Sequence, residues 1–231
     1  MYSIILPTFN EKKNIILLIN QIKNIFKKTS YEIIVVDDNS YDDTYKNVLN
    51  NFKKDKKIFI YLRKKNRSLA ESINLGLKKS HGKYIMVMDT DFNHNTKYLK
   101  KFIKYQKKFN LDFVSGSRFV SGGSSNKFHR HILSKMFNLY IQLILRLPIK
   151  DSLSGFFLIK KNILKKLRNK KIFLGYGEYF IRLCYYVHKY KFNYKEIGVV
   201  YWNRKFGRSK SKFVKMFFIY SLTAIKLLIR A

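Results

Sequence analysis

Acids are scarce in this chain. Only 14 Asp and Glu stand against 48 Lys and Arg in 231 residues, a formal net charge of +34. That surplus works against cationic partners and favours anions: nucleic acid, acidic headgroups or phosphorylated small molecules. The chain is also heavy in Lys, Asn, Ile, Phe and Tyr together, the drift expected of an AT-rich genome, so the positions of individual Arg residues say more than the total. No basic, aromatic-interleaved RNA-binding motif is present, and no nucleic-acid partner is expected. Cysteine occurs once, at Cys184. A single cysteine excludes an intrachain disulfide and points to a reducing compartment. Its setting, "EYFIRLCYYV", is an apolar helical pattern in which it reads as a small buried hydrophobe. No apolar run reaches the roughly 18–20 residues that span a bilayer, and the opening "YSIILPTFN" is too short for the apolar core of a signal peptide. No Gly/Ser-rich linker and no internal repeat divides the chain, whose length suits one domain with a substantial core.

The pattern that is present alternates. "YSIIL", "YEIIVVDD", "KIFIYL", "KYIMVMD" and "DFVSGS" read as strands, with helical stretches between them. In the first of those helices Ile15, Leu18, Ile19, Ile22 and Phe26 recur at helical spacing. Ser68 and Glu71 form a capping box before "SINLGLKK". Strands and helices in this alternation predict an α/β fold with a mostly parallel sheet covered on both faces. The second half predicts a long apolar helix over about 129–147, a short strand at "GFFLI", helices through "ILKKL" and "YFIRLCYYVHKY", a strand near "YKEIGVVY" and a terminal helix over 213–231. The long helix and the terminal one are apolar but broken by Lys135, Arg146, Lys215, Lys226 and Arg230. Such helices lie in a membrane interface, apolar side down and cations at the headgroups. Packing in the core or against a second copy is the other reading.

In an open parallel sheet, ligands bind beyond the carboxyl ends of the strands. Four of the first five strands end in acids, amides or an Arg: "PTFNE", "DDNS", "DTDFN" and "SGSR". Asp89 and Asp91 are two apart, so in extended chain they point the same way. Two carboxylates at a strand end suit Mg2+ or Mn2+, which keep waters and phosphate oxygens rather than a full protein cage. The five His (81, 94, 129, 131 and 188) show no metal-ligand spacing and read mostly as surface residues.

"ILPTFNE", "EIIVVDDNSYDDT", "GKYIMVMDTDFNHN" and "FVSGSRF", in this order and at these separations, resemble a family 2 glycosyltransferase of the Rossmann-like GT-A fold. With "DSLSGFFLIKKNIL" and "NRKFGRSK" added, the chain looks like the dolichyl- or polyprenyl-phosphate mannosyltransferase branch, a catalytic subunit without transmembrane segments. The resemblance runs from Ser3 to about Lys212, and implies a glycosyltransferase domain over 1–212 followed by a C-terminal interface helix.

The resemblance also implies a site. Pro7, Phe9, Glu11, Val36 and Asp38 would hold the nucleotide, with Phe9 standing where the family usually has Tyr. Asp89, Thr90 and Asp91 would meet the sugar diphosphate. Asp91 and Asn93 would ligate Mg2+ or Mn2+, Asn93 offering an amide oxygen. Arg118 would face the reacting phosphates, and Arg204 and Lys210 would clamp the diphosphate. Arg118, Arg130 and Ser134 would meet the acceptor phosphate; Arg130 and Ser134 are four apart and share one helix face. The family's acidic residue near 178–182 does not align cleanly, and Glu178 is the nearest candidate. The implied reaction moves a sugar, mannose from GDP-mannose foremost, onto a dolichyl or polyprenyl phosphate. The implied location is the cytoplasmic face of a membrane, bound peripherally or through a small anchoring subunit. UDP-glucose or another donor, a saccharide acceptor, and a non-enzymatic polyanion-binding protein are the alternatives.

Overall fold

The computed structural model describes residues 1–64, 66–126, 128–202 and 213–229. Its first half repeats strand and helix: β1 (Tyr2–Thr8), α1 (Lys12–Phe26), β2 (Tyr31–Asp37), α2 (Thr44–Phe52), β3 (Ile58–Leu62), α3 (Leu69–Lys79), β4 (Tyr84–Val87), α4 (Lys97–Phe109) and β5 (Phe113–Ser117). The second half adds β6 (Ser124–Ser125), α5 (Phe128–Leu145), β7 (Phe157–Lys160), α6 (Lys161–Lys166), α7 (Glu178–Lys189), β8 (Tyr194–Gly198), β9 (Val200–Tyr201) and α8 (Phe213–Ile229).

Seven strands form one sheet in the order β3-β2-β1-β4-β7-β5-β8. All neighbours are parallel except β7, which runs against both β4 and β5. Because β7 is reversed, its entry segment and the carboxyl ends of β1, β2, β4 and β5 share one rim. The short β6–β9 ladder joins Ser124–Ser125 to Val200–Tyr201 beside that rim.

The uncharged strand centres explain the layers. Side chains alternate across a strand, so Ile4, Leu6, Ile33 and Val35 face one side and Ile5, Ile34 and Val36 the other, all without exposed surface. The first set packs with Ile15, Leu18 and Ile22 of α1 and with Leu99 and Phe102 of α4. The second packs with α3, α5, α7 and α8 through Ile73, Ile141, Phe180 and Ala224. Cys184 lies inside that second layer, fully buried, and burial pushes its thiol up. It is the small hydrophobe expected.

Both long apolar helices form, and they pack on each other. Phe137 of α5 lies 5.0 Å from Phe217 and 6.0 Å from Tyr220 of α8, ring centre to ring centre. Their outer faces carry Phe128, Met136, Leu143, Phe218 and Leu222 into solvent. Among the described residues no helix is long and apolar enough to cross a membrane.

Candidate active site

The ends of β1, β2 and β4 surround a cavity of about 370 Å³, within the ordinary size range of small-ligand sites. The exit of β1 contributes Pro7, Thr8, Phe9 and Glu11, and the exit of β2 contributes Asp38. The start of α3 supplies Ser68, Leu69 and Ser72; Asp89, Thr90 and Asp91 follow β4, and Tyr176 closes the far wall.

At one end Asp38 is buried and held from two sides. Its Oδ2 accepts from the Ser68 backbone N–H at 2.7 Å, and Arg63 Nε is ion-paired with Oδ1 at 2.7 Å without the alignment of a hydrogen bond. Ser68 caps α3 as expected: its Oγ accepts from Glu71 N at 3.2 Å. The return half of the box is rewired, however. Glu71 pairs with Arg63 at 2.9 Å, and Asp38 takes the Ser68 N–H that the box assigns to Glu71. Beside Asp38, the Arg67 guanidinium lies 4.6 Å from the Phe9 ring and 5.3 Å from the Tyr41 ring. Phe9 thus keeps a flat, cation-faced wall at this end.

At the other end, Asp91 is buried, 4% exposed as a residue. Oδ1 accepts from Asn93 N at 3.0 Å and Oδ2 from Asn93 Nδ2 at 2.8 Å. Phe92 between them adopts φ +65, the left-handed conformation that lets the loop fold back on itself. His94 anchors this loop from below. Its Nδ1 accepts from Asp89 N at 2.9 Å and its Nε2 meets the Tyr201 hydroxyl at 2.9 Å, while its ring stacks on Phe156 at 4.7 Å. Burial, reinforced by the charge of Arg118 and only partly offset by the carboxylates of Asp91 and Asp151, pushes its pKa down to about 4. The neutral ring with its proton on Nε2 fits both bonds. Trp202 N donates to Asn93 O at 3.2 Å, stitching the chain after β9 to the same loop.

Arg118 sits across the rim, joined to this loop through Tyr201. Its guanidinium lies 4.9 Å from the Tyr201 ring. Nε and Nη2 donate to the two oxygens of Asp151, each at 2.8 Å, and the Arg118 backbone N–H donates to Asp151 at 2.9 Å. Burial works against the guanidinium charge, but Asp151's charge and hydrogen bonds outweigh it, and the pKa stands raised. Asp151 is positioned in turn: its N–H and that of Lys150 donate to Glu196 of β8 at 2.9 and 2.7 Å. Burial, partly offset by those bonds, raises the Glu196 pKa. The first turns of α5 come close, since the His131 ring lies 4.9 Å from Phe119 and Asn138 Oδ1 accepts from Ser152 N and Oγ.

Of the residues implied for the donor, the structure gathers Pro7, Phe9, Glu11, Asp38, Asp89, Thr90 and Asp91 around one cavity. Val36 departs from expectation. Its side chain is wholly buried in the core layer under α3, on the same face as Asp38 but two residues before it, so it stays beneath the cavity rather than lining it. Asn93 lies beside Asp91 but presents its NH2 to it; gripping a cation through both oxygens requires the amide to turn over. Arg130 and Ser134 stand on α5, the element that packs beside Arg118. Arg204 and Lys210 lie outside the described residues. Glu178 is buried and structural: its Oε2 accepts from Tyr176 N at 3.0 Å, and Oε1 faces Arg182 at 3.7 Å. His94 is buried and so corrects the surface reading, and Trp202 is half-exposed. The sequence signals for Arg67, Tyr41, Tyr176, His94 and Glu196 are weak, since each joins the site through contacts from distant parts of the chain.

A divalent cation fits the chemistry of the donor set. Among the described residues no cluster of three His, Cys, Asp or Glu could cage a metal. Two carboxylates facing a cavity are the hard-oxygen set that leaves room for waters and phosphate oxygens.

A mostly parallel sheet with one reversed strand, flanked by helices and opening at its strand ends on an acid-lined cavity, is the architecture of a GT-A fold. The chain belongs to glycosyl transferase family 2, whose model matches residues 3–168. It is 33% identical over 167 residues to dolichol-phosphate mannosyltransferase of Pyrococcus furiosus, an alignment covering 71% of this chain and 47% of that protein. The chain therefore spans about half the length of that relative. It is 32% identical over 196 residues to an uncharacterized protein of Methanocaldococcus jannaschii, covering 78% of this chain and 79% of that one. In fold it resembles glucosyl-3-phosphoglycerate synthase of Mycobacterium tuberculosis bound to Mn2+, UDP and product, with a TM-score of 0.71 at 14% identity over 98% of this chain and 79% of that one. TarS of S. aureus in complex with UDP-GlcNAc is similar at a TM-score of 0.67 and 20% identity, over 98% and 66% of the two chains.

Proposed function

We propose that this chain transfers a hexosyl group from a nucleoside diphosphate sugar to a dolichyl or polyprenyl phosphate, with GDP-mannose the favoured donor. The observation that carries the reading is the pairing, on one rim, of an acid-walled donor cavity with a fixed arginine, the two linked through His94 and Tyr201. The 33% identity to a dolichol-phosphate mannosyltransferase supports both donor and acceptor.

In this reading the nucleotide lies across Phe9 and Asp38, and the diphosphate points to Asp89 and Asp91. A divalent cation held by Asp91 with Asn93 would supply charge neutralisation at the leaving diphosphate. Arg118, locked by Asp151, offers a positive charge that needs no reorganisation as reaction proceeds. Arg130 and Ser134 extend that surface for the acceptor phosphate, and Arg204 and Lys210 clamp the diphosphate. An oxygen of the acceptor phosphate bonds to the anomeric carbon from the face opposite the nucleotide, and the carbon–oxygen bond to the diphosphate breaks with its electron pair. The result is inversion. A phosphate monoester is already ionised at neutral pH and needs no strong base, which accords with Glu178 being tied into a turn rather than lining the cavity. The apolar outer faces of α5 and α8 would lie on the cytoplasmic surface of a membrane, alone or with a small anchoring subunit.

The test incubates the purified chain with Mn2+ or Mg2+, a short polyprenyl phosphate and a panel of nucleotide sugars, and reads lipid product by mass spectrometry. Transfer from GDP-mannose, abolished in Asp91→Ala, is the expected result. The UDP bound in solved structures of this fold favours a second reading, a UDP-sugar donor; transfer from a UDP sugar alone would select it. Product on a saccharide and none on lipid would overturn the acceptor assignment.

A further inference from the structure

A second cavity, of about 450 Å³, lies between the C-terminal half of α3, α6 and the segment 167–174. It shares no residue with the donor cavity. Its α6 wall begins at the opposite rim of the sheet: Lys161 N donates to Lys83 O and Lys161 Nζ to Ser80 O, both just before β4 begins. The acids of the candidate active site lie beyond the other end of that strand.

The lining joins two chemistries. Lys78, Lys161, Lys165, Arg168 and Lys171 supply five cations, and no acid is among the lining residues. Between Ser152 and Gly177 the sequence contains no Asp or Glu at all, while residues 160–171 hold seven Lys and Arg. A minority of the cations find acids, such as Lys23 with Asp55 at 2.6 Å, Arg63 with Asp38 and Glu71, and, in this run, Lys160 with Asp112 at 2.9 Å. Compositional drift accounts for many lysines but not for five on one concave surface without a counter-charge. Like charges gathered around a concavity repel one another and concentrate anions there. The floor is apolar, formed by Leu167, Ile172 and Phe173 among others, with Leu167 and Ile172 buried into the main core. An apolar chain fits that floor, and a head with several acceptor oxygens fits that rim.

We propose that this cavity binds an anionic amphiphile, a phosphate monoester carried on an apolar chain, at a site separate from donor and acceptor. The inference does not rest on the transferase reading. A free inorganic phosphate shares the head but lacks the chain, and an uncharged detergent shares the chain but lacks the head.

Calorimetric titration with dodecyl phosphate below its micelle concentration tests this, using the wild-type chain, K165E/R168E and Arg130→Ala. The expected result is a binding event weakened about tenfold or more, 1.4 kcal/mol, in K165E/R168E and retained in Arg130→Ala. Dodecyl maltoside and inorganic phosphate should each bind at least about tenfold more weakly than dodecyl phosphate. Nucleotide binding retained in K165E/R168E, or in the milder K165Q/R168Q, shows that the fold is intact. Equal binding of dodecyl maltoside would assign the event to apolar helix faces and overturn the proposal. A single event lost only in Arg130→Ala would place it at the acceptor surface, with the same consequence, as would wild-type affinity in the charge-reversed variant.

Discussion

Asp151 is wholly buried and grips Arg118 with both oxygens. Removing one partner of a buried ion pair strands the other, which costs about 3–5 kcal/mol. Asp151→Asn should therefore lose about 3 kcal/mol of stability in urea denaturation; a loss under about 0.5 kcal/mol, the range of ordinary surface changes, would mean that water or other groups satisfy Arg118. Glu32 is a second residue whose partners set a measurable property. It is 4% exposed and accepts from Ser3 Oγ at 2.5 Å, from His81 N at 2.5 Å and from His81 Nδ1 at 2.9 Å. Burial opposes its charge, but those bonds outweigh burial and hold its pKa below the ordinary glutamate value of 4.5. The folded state then binds fewer protons than the unfolded one as pH falls through that range, so the contribution is full above 4.5 and lost on acidification. Melting temperatures from pH 6 to 3 should fall less steeply in Glu32→Gln than in the wild type. Parallel slopes would assign acid sensitivity to other groups.

At the scale of elements, α8 meets the turn that carries Tyr176 into the donor cavity. A Cβ on Gly177 would sit 1.9 Å from the Tyr220 hydroxyl, and Tyr220 is buried against Phe137. Gly177 is needed for close approach and not for an unusual backbone, since its φ is −87. Gly177→Ala should push Tyr220 and α8 outward and cost about 1–3 kcal/mol, the usual range for overpacking. Gly122 is the control: it has φ +77 and open space around a Cβ, so Gly122→Ala carries only the backbone cost of about 1 kcal/mol. Thermal melts of the two variants separate the causes. If Gly177→Ala were no worse than Gly122→Ala, the seat of α8 on this turn would be looser than its geometry indicates.

At the scale of the molecule, the outer faces of α5 and α8 form an apolar surface unlike the cation-rich remainder. Leu143 is 81% exposed on α5 and Phe218 66% on α8. Burial of such side chains in a lipid interface is worth about 1.5–3 kcal/mol each, and the surrounding cations add attraction to acidic headgroups. The chain should float with anionic liposomes, and L143D/F218D should abolish flotation while leaving the melting temperature within a few degrees. A wild-type chain that stays wholly in the soluble fraction would overturn the membrane reading. The strand–helix alternation, the direction of most strands and the acids at their ends were legible in the sequence, because periods of 2 and 3.6 and charge at the end of an apolar run are local properties. The reversed β7 was not legible, since "GFFLI" pairs with β4 and β5 whichever way the chain enters.

Sequence alone determined the family-defining parts: a buried strand leading to Asp89 and Asp91, Pro7 and Phe9 at the end of the first strand, Arg118 after the fifth, and two apolar helices interrupted by cations. Each is a short motif whose chemistry follows from residue type and spacing. Tertiary structure decided how those parts are held. His94 became a buried neutral anchor because Tyr201, 107 positions away, meets its second nitrogen. Val36 went to the core while its neighbour Asp38 reached the cavity, and Arg67 stacked on Phe9 and Tyr41. The reason is physical: strand periods and charge pattern are written locally, whereas hydrogen-bond partners and the closing walls of a cavity come from segments the fold alone brings together.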